Sequence, residues 1–77
     1  MTEEVLFKWE GHRAKAEIAE YLRSVARALD EKEGVKLTHG EDSIELDIPE
    51  NPEFEVKAER EEEGDETELS VEFEIEW

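Results

Sequence analysis

His12 and His39, the hydroxyls of Ser24, Thr38, Ser43 and Ser70, and the carboxylates from Glu61 to Glu66 are the side chains of this chain that could do more than pack. An imidazole beside a hydroxyl would make a nucleophile and its base, and imidazoles grouped with thiolates or carboxylates would hold zinc. Neither histidine has another histidine, a cysteine or a carboxylate at ligand spacing. His39, next to Gly40, reads as a turn residue. No hydroxyl sits in a recognisable nucleophile turn, and the four glycines are too scattered for a phosphate-cradling loop. The run from Glu61 to Glu66, with Gly64 and Asp65 inside it, has the oxygens of a calcium loop but not the spacing. These residues predict no catalytic group, no metal site and no cofactor, so the chain reads as non-enzymatic.

The remaining chemistry is charge. Twenty-five acidic residues stand against nine basic ones, a formal net charge of -16. A field of that sign repels nucleic acid and anionic lipid, so neither nucleic acid nor membrane is expected as a partner. Three readings of the acidity compete. One is an acidic surface made for a basic partner or imitating a phosphate backbone. Another is halophilic adaptation, in which carboxylates keep the protein hydrated in concentrated salt while the salt screens their repulsion. The third, a disordered chain, is allowed by a mean hydropathy of -0.84 but opposed by the regular apolar spacing. Acids appear in every segment instead of in one block, which favours salt adaptation.

The elements that would position these groups follow from periodicity. From Glu66 to Trp77 the chain alternates strictly: Leu69, Val71, Phe73, Ile75 and Trp77 share one face, and Glu68, Ser70, Glu72, Glu74 and Glu76 the other. That is a strand with one apolar and one wet side. Residues Glu3 to Glu10 alternate similarly, with Val5, Phe7 and Trp9 in phase, and predict a short first strand. After Gly11 the period lengthens to between three and four. Ala14, Ile18, Leu22, Val25 and Leu29 then form the stripe of an amphipathic helix of roughly 20 residues. His12 or Gly11 stands where a capping side chain is preferred, and Gly34 is suited to close the helix in the left-handed conformation.

Beyond Gly34 the period returns to two. Val35 to Thr38 form a brief strand, residues Thr38 to Asp42 a turn, and Ile44, Leu46 and Ile48 the next strand, which Pro49 and Pro52 terminate. A further strand turns Phe54, Val56 and Ala58 inward, and a polar turn from Arg60 to Asp65 leads into the last one. The whole predicts a single α+β domain over residues 1–77, in the order strand, helix, strand, strand, strand, strand. One helix packs on a mostly antiparallel sheet of four to five strands, and Ile18, Leu22, Val25 and Leu29 cover the apolar face of the last strand.

Arg13, the run from Glu17 to Leu22, Ala26, Leu29, the stretch from Gly34 to Leu37, Pro49 and the alternation ending at Trp77 together resemble the amphi-Trp domain. This is a small prokaryotic domain marked by amphipathic segments and a tryptophan near its end. The likeness covers essentially the whole chain, and His12 departs from the small capping residue suited to the helix start. The resemblance implies a stand-alone domain of unassigned function in an archaeal or bacterial cytoplasm, with no catalytic residues to carry over. No stretch approaches the roughly 20 apolar residues of a membrane helix, and Met-Thr-Glu-Glu-Val is acidic where a signal peptide is basic. A cytoplasmic location is therefore expected.

The function that this reading supports is a small acidic interaction module whose partner is a protein. The alternative is a salt-adapted structural domain acting as a homodimer or as a stability factor. The expected surface comprises Trp77, with Glu72, Glu74 and Glu76 lying across from Glu53 and Glu55, and Leu6 facing out from the first strand. That first strand is the candidate edge for pairing with a second copy. Trp9 is expected to close the core, and Trp77 either to close its other end or to be offered at its rim.

Overall fold

The computed structural model describes residues 2–77 and contains one helix and four strands. Helix α1 spans Lys15–Asp30, and strands β1 to β4 span Val35–His39, Asp42–Leu46, Glu53–Glu63 and Glu66–Glu76. The α+β class holds. The strands form two separate antiparallel hairpins, β1 with β2 and β3 with β4, and not the single sheet that the short connections suggested.

Ala, Leu, Glu, Lys and Arg favour the helical backbone at most positions of α1. The helix is 16 residues long and begins three residues later than the apolar period predicts. Ala14 is its N-cap, in extended geometry and without a capping side chain, while its carbonyl accepts from the amides of Glu17 and Ile18 at 3.0 and 3.1 Å. An acid in the first turn, Glu17, and a base in the last, Arg27, complement the helix dipole.

At the other end the structure corrects the expected closing residue. Lys32, with φ of 57°, takes the left-handed conformation, not Gly34. The Glu33 amide donates to the Ala28 carbonyl at 2.9 Å and that of Lys32 to Leu29 at 3.3 Å, the bonding pattern of a Schellman closure. Gly34 is required for room: a Cβ there would lie 2.7 Å from Cγ of Glu45. A lysine in the left-handed region carries a Cβ penalty that glycine escapes. Lys32→Gly is therefore expected to stabilise the domain by about 1 kcal/mol and to raise Tm by roughly 4–8 °C. Its Nζ pairs with Glu50 at 3.2 Å with both side chains largely exposed, and such pairs contribute little. An unchanged or lower Tm would show that the pair outweighs the backbone.

Each hairpin turns through a two-residue loop that begins with glycine in the left-handed region: Gly40 at φ 60° and Gly64 at φ 61°. Arg60 to Glu63, expected in the second turn, are the last residues of β3 instead. In the first hairpin Val35 lies across from Leu46 and Leu37 across from Ile44, which puts four apolar side chains on one face. Helix α1 packs against β1, and Val35, at 5% exposure, is the buried centre of the contact. Ala19, Val25, Ala28, Leu37, Ile44 and Leu46 are half-buried.

Among the described residues, Glu3 to Glu10 form no strand. They run beside the start of β2, where Val5 to Lys8 line a shallow groove with Asp42 and Ser43. Phe7 is half-buried and Trp9 packs on Arg13 and His39, whereas Val5 and Leu6 stay exposed. The expected cover of the last strand is also corrected: α1 touches β1 and makes no contact with β3 or β4.

Candidate interaction surface

The long hairpin is the feature that the rest of the fold leaves open. Its register pairs Phe54 with Ile75, Val56 with Phe73, Ala58 with Val71 and Arg60 with Leu69. Side chains directly opposite share a face, so the apolar ones, with Trp77 in phase just beyond β4, make an apolar strip from Leu69 to Trp77, about 30 Å long at ~3.3 Å per residue. The strip is uncovered. Phe73 is 57% exposed, and Phe54, Val56, Leu69 and Val71 are at least as open.

The reverse face carries the expected glutamates. Glu53 lies across from Glu76, Glu55 from Glu74, Glu61 from Glu68 and Glu63 from Glu66. Lys57, across from Glu72, is the one cation on this face, and its Nζ pairs with Glu59 at 3.3 Å. The Glu59 carboxylate holds the Lys57 ammonium above its ordinary pKa by a hydrogen bond and by its charge, with Glu72 adding to the attraction. Glu74 is also held above its ordinary value. A hydrogen bond with the Glu76 carboxyl is the largest cause, followed by repulsion from Glu76, Glu55 and Glu72. The acids are therefore less evenly spread than the sequence suggested, since ten of them line a single face of one hairpin.

Trp77, 57% exposed, is thus brought to the same hairpin as Glu53, Glu55, Glu72, Glu74 and Glu76, but on the opposite face. The expected surface is really two surfaces, one apolar and one acidic. Leu6 belongs to neither. It is 61% exposed in the irregular N-terminal segment, so the strand edge that it was expected to offer a second copy does not exist. The longest open edges belong to β3 and β4, each of which pairs only with the other.

The periodicity missed a second grouping. The guanidinium of Arg13 lies 4.3 Å from the centre of the Trp9 ring, and that ring is 4.6 Å from the His39 imidazole. Arg13 is anchored from the other side by Glu17 at 3.7 Å. These residues border an open groove of about 500 Å³ whose floor includes Phe7, Ile18, Tyr21 and Leu22. Trp9 is therefore a half-open wall of a groove and not the closure of a core. Cation–π stacking could have been suspected from an arginine four residues after a tryptophan, but the intervening Gly11 gave no fixed geometry from which to argue it. Among the described residues, no three His, Asp or Glu side chains stand together as metal ligands do, and no helix is long and apolar enough to cross a membrane.

Compared with known proteins, the family model of the Amphi-Trp domain matches residues 1–77. No curated protein and no solved structure matches the chain.

Proposed function

The chain belongs to the Amphi-Trp domain family, and from that premise we propose that it is a non-enzymatic interaction module of the cytoplasm, with the β3–β4 hairpin as its docking element for protein. The observation that carries this reading is the uncovered apolar strip. Isolated two-stranded hairpins are marginal in water, and a contiguous exposed apolar surface rimmed by charge marks an interaction site in soluble proteins. A protein partner fits better than nucleic acid or lipid, because glutamates back the strip along its whole length. The same glutamates support the companion reading of a salt-adapted domain, in which the acidic face is turned to concentrated salt while the apolar face does the binding.

The test is photo-crosslinking in the cell. A photoreactive phenylalanine analogue in place of Phe73 is expected to give adducts of higher mass than the chain. The same analogue at Ser70, on the acidic face, is expected to give few. Adducts from Ser70 and none from Phe73 would sink the reading and favour a basic partner on the glutamates.

A further inference from the structure

We propose that the occupant of the hairpin's apolar strip is a second copy of this chain, and that the contact is reciprocal: each hairpin lies across the helix α1 of the other copy. The inference rests on the docking reading above and names the partner.

Surface area is the first support. The chain exposes 7523 Å², whereas a compact monomer of 9.0 kDa exposes about 4,900 Å². The excess, roughly 2,600 Å² per chain, is the amount that partners in large obligate interfaces cover. A radius of gyration of 15.0 Å, against about 11.5 Å for a compact domain of this length, expresses the same openness. Hairpin stacking on hairpin would hide only the strips. Helix α1 also has an open apolar face, with Ile18, Tyr21, Leu22 and Leu29 at 40–49% exposure. Exchange covers both surfaces at once, and the lengths suit each other: α1 is about 24 Å long at ~1.5 Å per residue, against a strip of about 30 Å at ~3.3 Å per residue.

Charge selects the same pairing. Helix α1, Lys15–Asp30, holds three basic and three acidic side chains, whereas residues 53–77, the hairpin, hold two and twelve. The helix is neutral, while the hairpin carries ten of the sixteen net negative charges. Helix against hairpin avoids the repulsion that hairpin against hairpin would bring, and each copy keeps its glutamate face outward.

The connector decides between a foreign helix and the chain's own. Asp47 to Pro52 includes two prolines, each with fixed φ, and the residues before them, Ile48 and Asn51, are restricted to extended backbone. Ile48, Pro49 and Pro52 share a groove with Ala28 and Leu29, and Glu50 is paired with Lys32. The connector is thus tied to the C-terminal end of α1 and sends the hairpin away from its own helix. Short, stiff connectors of this kind favour exchange between copies over closure within one.

The chain has no cysteine, so introduced pairs report contacts cleanly. Full-length chains carrying Ile18→Cys or Leu22→Cys are mixed with chains carrying Val71→Cys or Phe73→Cys and oxidised. Mixed disulfides at about 18 kDa, twice the chain's 9.0 kDa, are expected, together with the same mass for the unmodified protein in sedimentation. Three results would overturn the proposal. One is a disulfide within a single chain when Leu22→Cys and Phe73→Cys are combined. Another is Phe73→Cys chains joining each other in preference to helix-labelled ones. The third is an unmodified protein that sediments at 9.0 kDa. The last result beside Phe73 photo-adducts to other proteins would leave the docking reading standing, and without any such adducts both would fall.

Discussion

Phe73→Ala is expected to destabilise the assembled protein by about 3 kcal/mol and to make its Tm independent of protein concentration. In the single chain Phe73 is 57% exposed, and truncating a side chain that open moves stability by about 0.5 kcal/mol at most. The two figures differ because, in the proposed exchange, the partner copy's helix covers the strip and makes Phe73 a core residue, with Val56 across the ladder. Truncation then removes buried aromatic area and leaves a cavity. Coupled folding and association also make the wild-type Tm rise with concentration, a dependence that the variant loses as it dissociates. Glu72→Ala, one residue away on the reverse face, is the control and is expected to leave the concentration dependence intact. Denaturant titrations of the three proteins at two concentrations check this. A loss of about 0.5 kcal/mol or less for Phe73→Ala, with wild-type midpoints that do not move, would show that the strip stays in water.

That contrast also marks how far the sequence could be read. Strict alternation from Glu66 to Trp77 identified β4 with its correct faces, because a period of two is a local property of the backbone. It equally placed Glu53 and Glu55 across from the glutamates near the chain's end, which the register bears out. The helix stripe was legible for the same reason. The cover of each apolar face was not, because that is a tertiary choice. The stripe of α1 and the strip of β4 looked made for each other, yet α1 meets β1, and the two proline-restricted positions between β2 and β3 break the sheet in two. Val5, Phe7 and Trp9 show the opposite failure. They alternate as a strand does, but Trp9 finds Arg13 and His39 at van der Waals range, and no edge pairs with the segment. At the helix end Gly34 was the natural choice for a left-handed residue. Lys32 takes that role because the Schellman bonds fall two residues earlier, and Gly34 is kept small by Glu45 and Asp47.

Raising KCl from roughly 0.1 M to 1 M is expected to increase Tm by about 10 °C, and the glutamate ladder is the reason. Four pairs of glutamates face each other across β3 and β4 with Cβ atoms about 5 Å apart. The screening length falls from about 10 Å to about 3 Å over that salt range, so repulsion that acts in full at low salt is largely removed at high salt. Proton uptake relieves the same repulsion. Glu74 is held above its ordinary value, so the folded state binds its proton more tightly than the unfolded chain does. The stability from this group is complete below the unfolded value and is lost as pH rises through the folded one. Mild acidification from neutral pH into the range where Glu74 takes up its proton is therefore expected to raise Tm at low salt and to have little effect in 1 M KCl. The same sign holds for Lys57 at alkaline pH. Its raised pKa gives stability that disappears as the ammonium deprotonates above 10.5. Glu55→Lys isolates the cause, because it converts the pair with Glu74 into an attractive one. The variant is expected to melt higher than wild type at low salt and to show a shallower KCl slope. A slope equal to that of wild type would assign the salt response to something other than this ladder, and a flat wild-type curve would remove salt adaptation as the meaning of the acidic face.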